Sequence, residues 1–177
     1  MLIKSENLQW QLKKGRHSVV YLVENYAVKF FEKQFKYNFY KEVKFLTLLQ
    51  PFGFVPKLYF IDPESLIVVM QRLEGKKIRD CINLRLAVEC LKICFLLDMM
   101  GIQKEEMYHP DKHIIVADRV YLIDFERSHF SSKPSNLTQF CVYLRKFGYE
   151  VDEELLKCYK RSFSYDIFKK ILEKFAP

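Results

Sequence analysis

The chain has 177 residues, of which half are apolar and 16% aromatic, and its formal net charge is +7. This composition excludes a disordered chain and is sufficient for one large domain or two small lobes. No apolar run approaches the roughly 20 residues of a membrane span, and Met1-Leu2-Ile3-Lys4 leads directly into polar residues, so we expect a cytoplasmic protein without a signal peptide or membrane contact.

Residues 8–33 are predicted to form a β-meander, because β-rich runs alternate with short polar breaks. Two of these runs, 19–23 and 27–31, are separated by Glu24-Asn25-Tyr26. Asn25 tolerates the positive φ that a tight hairpin turn requires. The sequence therefore predicts a hairpin whose left-handed residue is Asn25.

A helix is predicted at residues 35–49, where apolar side chains recur at helical spacing, and Pro51 with Gly53 ends it. Two further strands, 57–61 and 66–70, then flank a turn. The first 70 or so residues thus contain five predicted strands and one helix.

In the second half of the chain the pattern becomes helical. Residues 83–100 are a long apolar stretch that predicts a helix ended by Gly101. A short hairpin is predicted to pair 114–116 with 120–123. From about Asn136 the chain is expected to be helical to its end, in two or three segments.

The positive charge favours polyanionic partners such as nucleotides, RNA or acidic proteins, although many of the lysines lie at the spacing of a solvated helix surface. A basic RNA-binding module is the least favoured of these, because no RNP-type or zinc motif is present. The five cysteines include no Cys-x-x-Cys pair. We therefore expect them to be reduced, buried thiols.

The most informative motif is Asp124-Phe125-Glu126, at the end of an apolar predicted strand. A carboxylate in that position is either a metal ligand or a cap on the next segment. Upstream, Ala27 and Lys29 lie two apart on a predicted strand and so share a face. A lysine within an apolar run needs a charged partner or solvent. Glu42, in the middle of the predicted helix, is its natural counter-ion.

A turn that contains a single glycine precedes these residues. Gly15 would let the backbone approach a phosphate, and Ser18 is small enough to do so, although an ordinary hairpin turn is the alternative. A glycine turn, a strand lysine, a helical glutamate and a strand-end aspartate in this order indicate phosphoryl transfer. That reaction needs clamped phosphates, neutralised charge and an aimed acceptor hydroxyl.

These residues, with the run Met70-Gln71-Arg72-Leu73-Glu74-Gly75, resemble the protein-kinase-like family. The similarity covers residues 10 to about 140. It is strongest to reduced members, the predicted archaeal serine/threonine kinases related to the RIO and lipopolysaccharide-kinase groups. The resemblance implies an α+β, bilobal protein-kinase-like fold. Residues 1–73 would form an N-terminal lobe with a five-stranded antiparallel sheet and one helix, and residues 74–177 a reduced, mostly helical C-terminal lobe.

The resemblance also implies a binding site for ATP and Mg²⁺. Lys29 would bind the α- and β-phosphates and pair with Glu42, and Asp124 would hold the magnesium ion. The remaining nucleotide contacts would come from the turn (Gly15, Ser18), from the adenine cover (Val20, Ala27), from the back of the pocket (Met70) and from the backbone of Gln71 and Leu73.

The expected catalytic loop departs from the family pattern, which is His-Arg-Asp, four residues, then Asn. If His113 takes the Asn position, Tyr108 falls where the Asp is expected, and a tyrosine cannot act as a base near pH 7. With two extra loop residues, Glu106 takes the catalytic position and could accept the hydroxyl proton or orient the acceptor. Glu105 and Asp111 remain open as alternatives. His113 would be an unusual magnesium ligand, since that ion prefers oxygen, and could instead bond a phosphate or structure the loop.

A second departure follows Asp124, where Glu126 replaces the usual glycine. Only about a dozen residues lead from there to the helix at Asn136, with no Ala-Pro-Glu segment. The expected function is a minimal ATP-dependent kinase acting on protein serine or threonine, including itself. One alternative is a catalytically weak, ATP-binding regulatory subunit of a protein partner. The other is a small-molecule phosphotransferase, because the shortened second half leaves the cleft open.

Overall fold

The computed structural model describes residues 11–175. The expected absence of a signal peptide and the first residues of the predicted meander, 8–10, lie outside the described residues. The described chain forms two compact units. The first contains the residues up to Glu74 together with Ile123–Glu126, and the second contains Gly75–Leu122 and the chain from Arg127 onward. The lobe limits expected from the sequence stay a prediction.

A five-stranded antiparallel sheet forms the first unit, with strand order β1-β2-β3-β5-β4. This confirms the predicted sheet. Burial alternates along β3, where Ala27, Lys29 and Phe31 are buried and their neighbours are more exposed. Ala27 and Lys29 therefore share the buried face, as their spacing predicts. The strands are β1 (Gln11–Lys14), β2 (Ser18–Val23), β3 (Tyr26–Phe31), β4 (Leu58–Asp62) and β5 (Ile67–Gln71).

The turn between β2 and β3 differs from the prediction at one residue. Val23 pairs with Tyr26, so the turn has two central residues. The positive φ, 46°, is that of Glu24 and not of Asn25. Two-residue turns that need a left-handed residue at their first central position match the twist of the flanking strands. The strand register therefore decides which residue is left-handed, against the preference of the asparagine.

Helix α1 (Lys36–Leu49) packs one face against this sheet. Phe39 meets Phe31 of β3 edge-on, with ring centroids 5.8 Å apart. Glu42 lies one turn further along the same face and is 1% exposed. Gly53, with a φ of 72°, follows the short 3₁₀ turn that ends the helical segment. The packing of α1 thus places the Glu42 carboxylate on the buried side of the sheet.

The second unit is mostly helical. Asn83 caps its first helix by accepting a hydrogen bond from the Leu86 N–H, and Gly101, with a φ of 67°, follows the last turn. From Asn136 onward two or three helical segments are predicted, and the described part of the chain has three. No helix in residues 11–175 is long and apolar enough to cross a bilayer. The helices are α2 (Leu84–Met99), α3 (Asn136–Leu144), α4 (Glu153–Ser162) and α5 (Tyr165–Glu173).

Short strands complete the second unit. The predicted hairpin is confirmed as β8 (Ile114–Val116) and β9 (Val120–Leu122), although β9 ends before Ile123. Three two-residue strands were not predicted, because two residues carry no periodicity. These are β6 (Lys76–Lys77), which pairs with β8, and β7 (Ile102–Gln103) with β10 (His129–Phe130), which pair with each other.

Burial of the thiols is confirmed for Cys90, Cys94 and Cys141, and burial raises the pKa of Cys141 to about 12. Cys81 is only half-buried and Cys158 is exposed, so the expectation of a buried thiol is wrong for these two residues. Cys158 lies on α4, a surface helix whose other face supplies the buried residues.

A buried carboxylate, Asp98 on α2, organises the helices of the second unit. It is 4% exposed and accepts hydrogen bonds from Asn136 N and Nδ2 (2.9 and 2.7 Å), from Leu137 N (3.2 Å) and from the Tyr159 hydroxyl (2.9 Å). Two of these donors are backbone groups in the first turn of α3, which lack partners within the helix. Burial raises the pKa of Asp98, and the hydrogen bonds oppose that rise. Asp98 thus joins α2 to α3 and α4.

Replacing Asp98 with alanine is expected to destabilise the protein by about 3 kcal/mol or more, because several buried donors lose their acceptor. Urea unfolding followed by circular dichroism measures the free energy of unfolding. Asp118, whose side chain is 62% exposed, provides the matched control. Asp118→Ala should change the free energy of unfolding by no more than about 0.5 kcal/mol. Equal losses in the two variants would contradict the role given to Asp98.

Candidate active site

Lys29, in the middle of β3, is surrounded by three carboxylates within the first unit. Its side chain is 7% exposed. The ammonium nitrogen Nζ lies 2.9 Å from Asp124 Oδ1, 3.2 Å from Glu126 Oε2 and 3.4 Å from Glu42 Oε1. We call Lys29, Glu42, Asp124 and Glu126 the lysine cluster. It brings together three residues singled out from the sequence and adds Glu126.

The charges of the lysine cluster do not balance. Burial by itself would lower the pKa of Lys29, but the negative charges of Glu42, Asp124 and Glu126 outweigh burial and raise that pKa above the usual lysine value. Lys29 is therefore charged at neutral pH. Three carboxylates face one ammonium, so the cluster has an excess of negative charge in a largely desolvated place, and such an excess favours a bound cation.

The segment that carries Asp124 is held in an uncommon conformation. Asp124 has a φ of 66°, in the left-handed region that few non-glycine residues adopt. Phe125 beside it is fully buried, and Asn38 of α1 donates to the Glu126 carbonyl at 3.3 Å. The side chain of Asp124 is 37% exposed, against 1% for Glu42. Asp124 is thus the cluster carboxylate most open to an incoming ion.

Glu126 also connects the cluster to the turn before β2. His17 Nδ1 lies 2.7 Å from Glu126 Oε1, and the His17 ring packs on Phe35 with centroids 4.5 Å apart. Gly15 donates its N–H to the Ser18 carbonyl at 2.9 Å, and a Cβ on Gly15 would approach that oxygen to 3.1 Å. The turn is therefore tight, and the His17–Glu126 contact ties it to the Asp124 segment.

The residues expected around an adenine lie on neighbouring strands of the same sheet. Ala27 pairs directly with Met70, and both are buried. Val20 lies on β2 opposite Lys29 and is half-buried. The Gln71 N–H already donates to the Lys57 carbonyl at 2.8 Å. The Gln71 N–H is therefore engaged within the sheet, and the contact of the Gln71 and Leu73 backbone with a base stays a prediction.

Glu106, in the second unit, is clamped by two basic side chains. Its Oε2 lies 2.9 Å from His113 Nε2, and its Oε1 accepts a hydrogen bond from Arg127 Nη1. Partial burial would raise the pKa of Glu106, but the hydrogen bond from His113 and the charge of Arg127 outweigh burial and lower that pKa. Glu106 also has a left-handed backbone, with a φ of 69°.

The other carboxylates of this loop are engaged elsewhere. Glu105 Oε1 lies 3.4 Å from His129 Nδ1. Asp111 accepts a 2.7 Å hydrogen bond from the Tyr143 hydroxyl, and burial together with this bond raises the pKa of Tyr143. Tyr108 is 45% exposed. Of the loop residues left open by the sequence, Glu106 is the one that the structure joins to His113.

The sequence did not predict a role for three residues that belong to the lysine cluster or contact Glu126 or Glu106. In the sequence Glu126 is only a departure from the family pattern, and its spacing of two residues from Asp124 is the signal that could pair it with Lys29. His17 stood in the glycine turn without a role. Arg127 was not singled out, and no local signal marks it, because its partner lies 21 residues away.

Magnesium fits the donor set. Among residues 11–175, no group of three or more His, Cys, Asp or Glu side chains could hold a metal ion by itself. Mg²⁺ commonly binds one or two carboxylates together with substrate phosphates and waters. Asp124 and Glu126, two oxygen donors around one lysine, match that requirement. His113 Nε2 lies 2.9 Å from Glu106 Oε2, and metal binding by His113 stays a prediction from the sequence.

Comparison with known proteins identifies the fold. No protein-family model and no curated protein matches the chain. Solved structures do match. The bifunctional kinase-methyltransferase WbdD superposes with a TM-score of 0.69 at 20% identity, over 96% of this chain and 47% of that one. WbdD bound to the kinase inhibitor LY294002 gives 0.66 at 21% identity, over 96% and 45%. The chain thus spans about half the length of the WbdD structures.

The Rio2 kinase from Chaetomium thermophilum, solved as an ADP/Mg²⁺-phosphoaspartate complex, also matches. Its TM-score is 0.66 at 13% identity, over 96% of this chain and 70% of that one. Together with the five-stranded sheet and the helical second unit, these matches confirm the protein-kinase-like fold expected from the sequence. Identities this low establish the fold and leave the activity to the residues of the site.

Replacing Lys29 with methionine is expected to destabilise the protein by about 3 kcal/mol, because the buried carboxylates lose their counter-ion. Combining Lys29→Met with Glu42→Gln should cost at least about 1 kcal/mol less than the sum of the single losses, since one buried charge disappears with its partner. Thermal and urea unfolding measure both effects. Lys33→Met, on the exposed surface, is the control. Strict additivity would contradict the ion pair.

Proposed function

We propose that this chain is a minimal kinase that transfers the γ-phosphate of Mg-ATP to a protein serine or threonine hydroxyl, its own included. The observation that carries the proposal is the buried ammonium of Lys29 paired with a helical glutamate and a strand-end aspartate. That trio lies in a fold shared with Rio2, whose structure contains ADP and Mg²⁺, and with WbdD, which binds a kinase inhibitor.

Lys29 is proposed to bind the α- and β-phosphates. Its ammonium is fixed in place by Glu42, which is buried and cannot follow the lysine into solvent. Phosphate oxygens would replace part of the carboxylate contacts that Lys29 now makes with Asp124 and Glu126. The lysine would thus remain fully paired when the nucleotide binds, and no isolated buried charge would form.

Asp124 and Glu126 are proposed to hold the magnesium ion, which supplies charge neutralisation on the phosphates when bound. Asp124 is the more accessible carboxylate, and Glu126 adds a second oxygen donor where the family pattern has glycine. His113 is proposed to structure the loop through Glu106 and not to bind the metal ion. Its imidazole nitrogen also suits magnesium less well than oxygen does.

The remaining nucleotide contacts follow the strand positions. Val20 and Ala27 are proposed to cover the adenine, Met70 to stand behind it, and the Gln71 carbonyl with the Leu73 N–H to bond its edge. The turn at Gly15 and Ser18 is proposed to lie over the phosphates. The contact between His17 Nδ1 and Glu126 Oε1, at 2.7 Å, holds that turn to the Asp124 segment and so supports this arrangement.

Glu106 is proposed to orient the acceptor hydroxyl. Its pKa is lowered by His113 and Arg127, so it is ionised at neutral pH but is a weak base. Phosphoryl transfer through a loose transition state needs little proton abstraction and depends mainly on an aimed nucleophile. An ionised, fixed carboxylate suits that task.

A second candidate function is a catalytically weak, ATP-binding regulatory subunit of a protein partner. It is favoured by one observation, that both oxygens of Glu106 are occupied by basic side chains. A small-molecule phosphotransferase is the third. The short path of nine residues between Glu126 and α3 favours it, since it offers little chain to dock a peptide.

Lys29→Arg and Asp124→Asn are each expected to reduce phosphate transfer from labelled ATP by about 100-fold or more, because each removes a group that stabilises transferring charge. The assay follows label on the protein itself and on added protein substrates. Lys33→Arg and Asp118→Asn are matched exposed controls and should keep full activity. Melting temperatures establish that the variants are folded.

Phosphopeptide mass spectrometry then identifies the acceptor side chain. Label on serine or threonine supports the leading proposal. Undiminished transfer by both the Lys29 and the Asp124 variants refutes it. Tight ATP binding with no transfer to proteins selects the regulatory subunit, and ATP consumption with sugars, lipids or aminoglycosides selects the small-molecule enzyme.

Glu126→Gln is expected to raise the magnesium concentration needed for half-maximal transfer by about 10-fold, because the ion loses one charged donor. Transfer rates measured across a magnesium titration give this value. Glu150→Gln, on an exposed residue, should leave the titration unchanged. An unchanged titration for Glu126→Gln would restrict the metal ligands to Asp124.

A further inference from the structure

The backbone around Glu106 is fixed by helix α3. Asn136 Oδ1 accepts the Lys104 N–H at 2.8 Å, and Gln139 Oε1 accepts the Met107 N–H at 3.2 Å. Met107 itself is fully buried. Glu106 thus lies between two anchored residues, in a left-handed conformation that L-residues seldom adopt. These contacts fix the position of the Glu106 Cα, and the orientation of its side chain depends on the contacts that the carboxylate makes.

A two-strand ladder brings Arg127 beside this loop. Gln103 of β7 pairs with His129 of β10 in an antiparallel register. In such a pair, residues that follow Gln103 run alongside residues that precede His129. Arg127, two residues before His129, is therefore placed next to the Glu106 turn. The proximity follows from backbone pairing and does not depend on a long flexible side chain alone.

The clamp on Glu106 uses its two oxygens separately. Arg127 Nη1 donates to Oε1 and His113 Nε2 lies 2.9 Å from Oε2. A carboxylate bonded at both oxygens from different directions has one orientation. Arg127 and Glu106 are 50% and 41% exposed, and a half-exposed ion pair contributes little to folding stability. A gain in folding stability from this ion pair therefore does not explain why Glu106 adopts a left-handed backbone, which costs free energy.

We propose that Arg127 is a positioning residue for phosphate transfer, which holds the Glu106 carboxylate in the orientation that aims the acceptor hydroxyl. This role rests on the proposed kinase function. Arg127 acts through Glu106 and need not touch the phosphates. Its planar guanidinium fixes direction as well as charge, so a lysine can replace it only in part.

Arg119 offers a matched control within the same unit. Its side chain is 57% exposed and pairs with Asp118 at 3.2 Å, as Arg127 pairs with Glu106, but that pair lies in the β8–β9 turn. Removing either arginine deletes one exposed ion pair. A general effect of charge or of surface structure should therefore affect both variants alike.

The test compares Arg127→Ala, Arg127→Lys and Arg119→Ala in steady-state transfer assays. Arg127→Ala is expected to lower kcat by about 10- to 100-fold, with KM for ATP changed less than about twofold, since only the aim of the acceptor is lost. Arg127→Lys should recover part of kcat. In a Glu106→Gln background, Arg127→Ala should have little further effect, because the group it positions is already neutral.

The outcomes separate the two proposals. An active wild type with Arg127→Ala indistinguishable from Arg119→Ala would overturn the role of Arg127 and leave the kinase assignment intact. Parallel losses of kcat and melting temperature, with independent effects of the Glu106 and Arg127 changes, would assign Arg127 a structural role and also overturn it. A folded wild type that transfers no phosphate would overturn both proposals.

Discussion

The ammonium of Lys29 among Glu42, Asp124 and Glu126 is the interaction on which the first unit depends. Glu42 comes from α1, and Asp124 and Glu126 come from the segment Ile123–Glu126, so all three carboxylates are at least a dozen residues from the lysine in the chain. Their pairing with Lys29 therefore fixes both α1 and this segment against β3. A buried lysine without partners would be strongly unfavourable, and so would three buried carboxylates without a cation. The remaining negative charge is the feature on which the proposed binding of Mg-ATP depends.

Two carboxylates proposed to act in phosphate transfer, Asp124 and Glu106, share an uncommon backbone. Both have φ values near the left-handed minimum, 66° and 69°. Such residues cost free energy and persist where surrounding contacts fix them. For Asp124 these contacts are the burial of Phe125 and the hydrogen bond from Asn38 to the Glu126 carbonyl. For Glu106 they are the hydrogen bonds that the neighbouring loop N–H groups donate to α3 side chains, and the contact with Arg127.

Local pattern is sufficient for the sheet, the helices and the pairing of Lys29 with Glu42, whereas the link between Lys29 and Asp124 follows from the family resemblance. Ala27 and Lys29 share a face because strands have a period of two, and Glu42 follows Phe39 on the buried face of α1 because helices repeat every three to four residues. Glu126 with His17, and Glu106 with Arg127, depend on pairings between distant segments. The β7–β10 ladder that places Arg127 has only two residues per strand and leaves no periodic signal. At the β2–β3 turn, strand register made Glu24 left-handed in place of Asn25.

A crystal structure of the chain with Mg²⁺ and a non-hydrolysable ATP analogue tests the central claim most directly. We expect phosphate oxygens within hydrogen-bond distance of Lys29 Nζ, the Lys29–Glu42 ion pair retained, and the metal ion bound by Asp124. A triphosphate bound elsewhere, with Lys29 still contacting only its three carboxylates, would contradict this expectation.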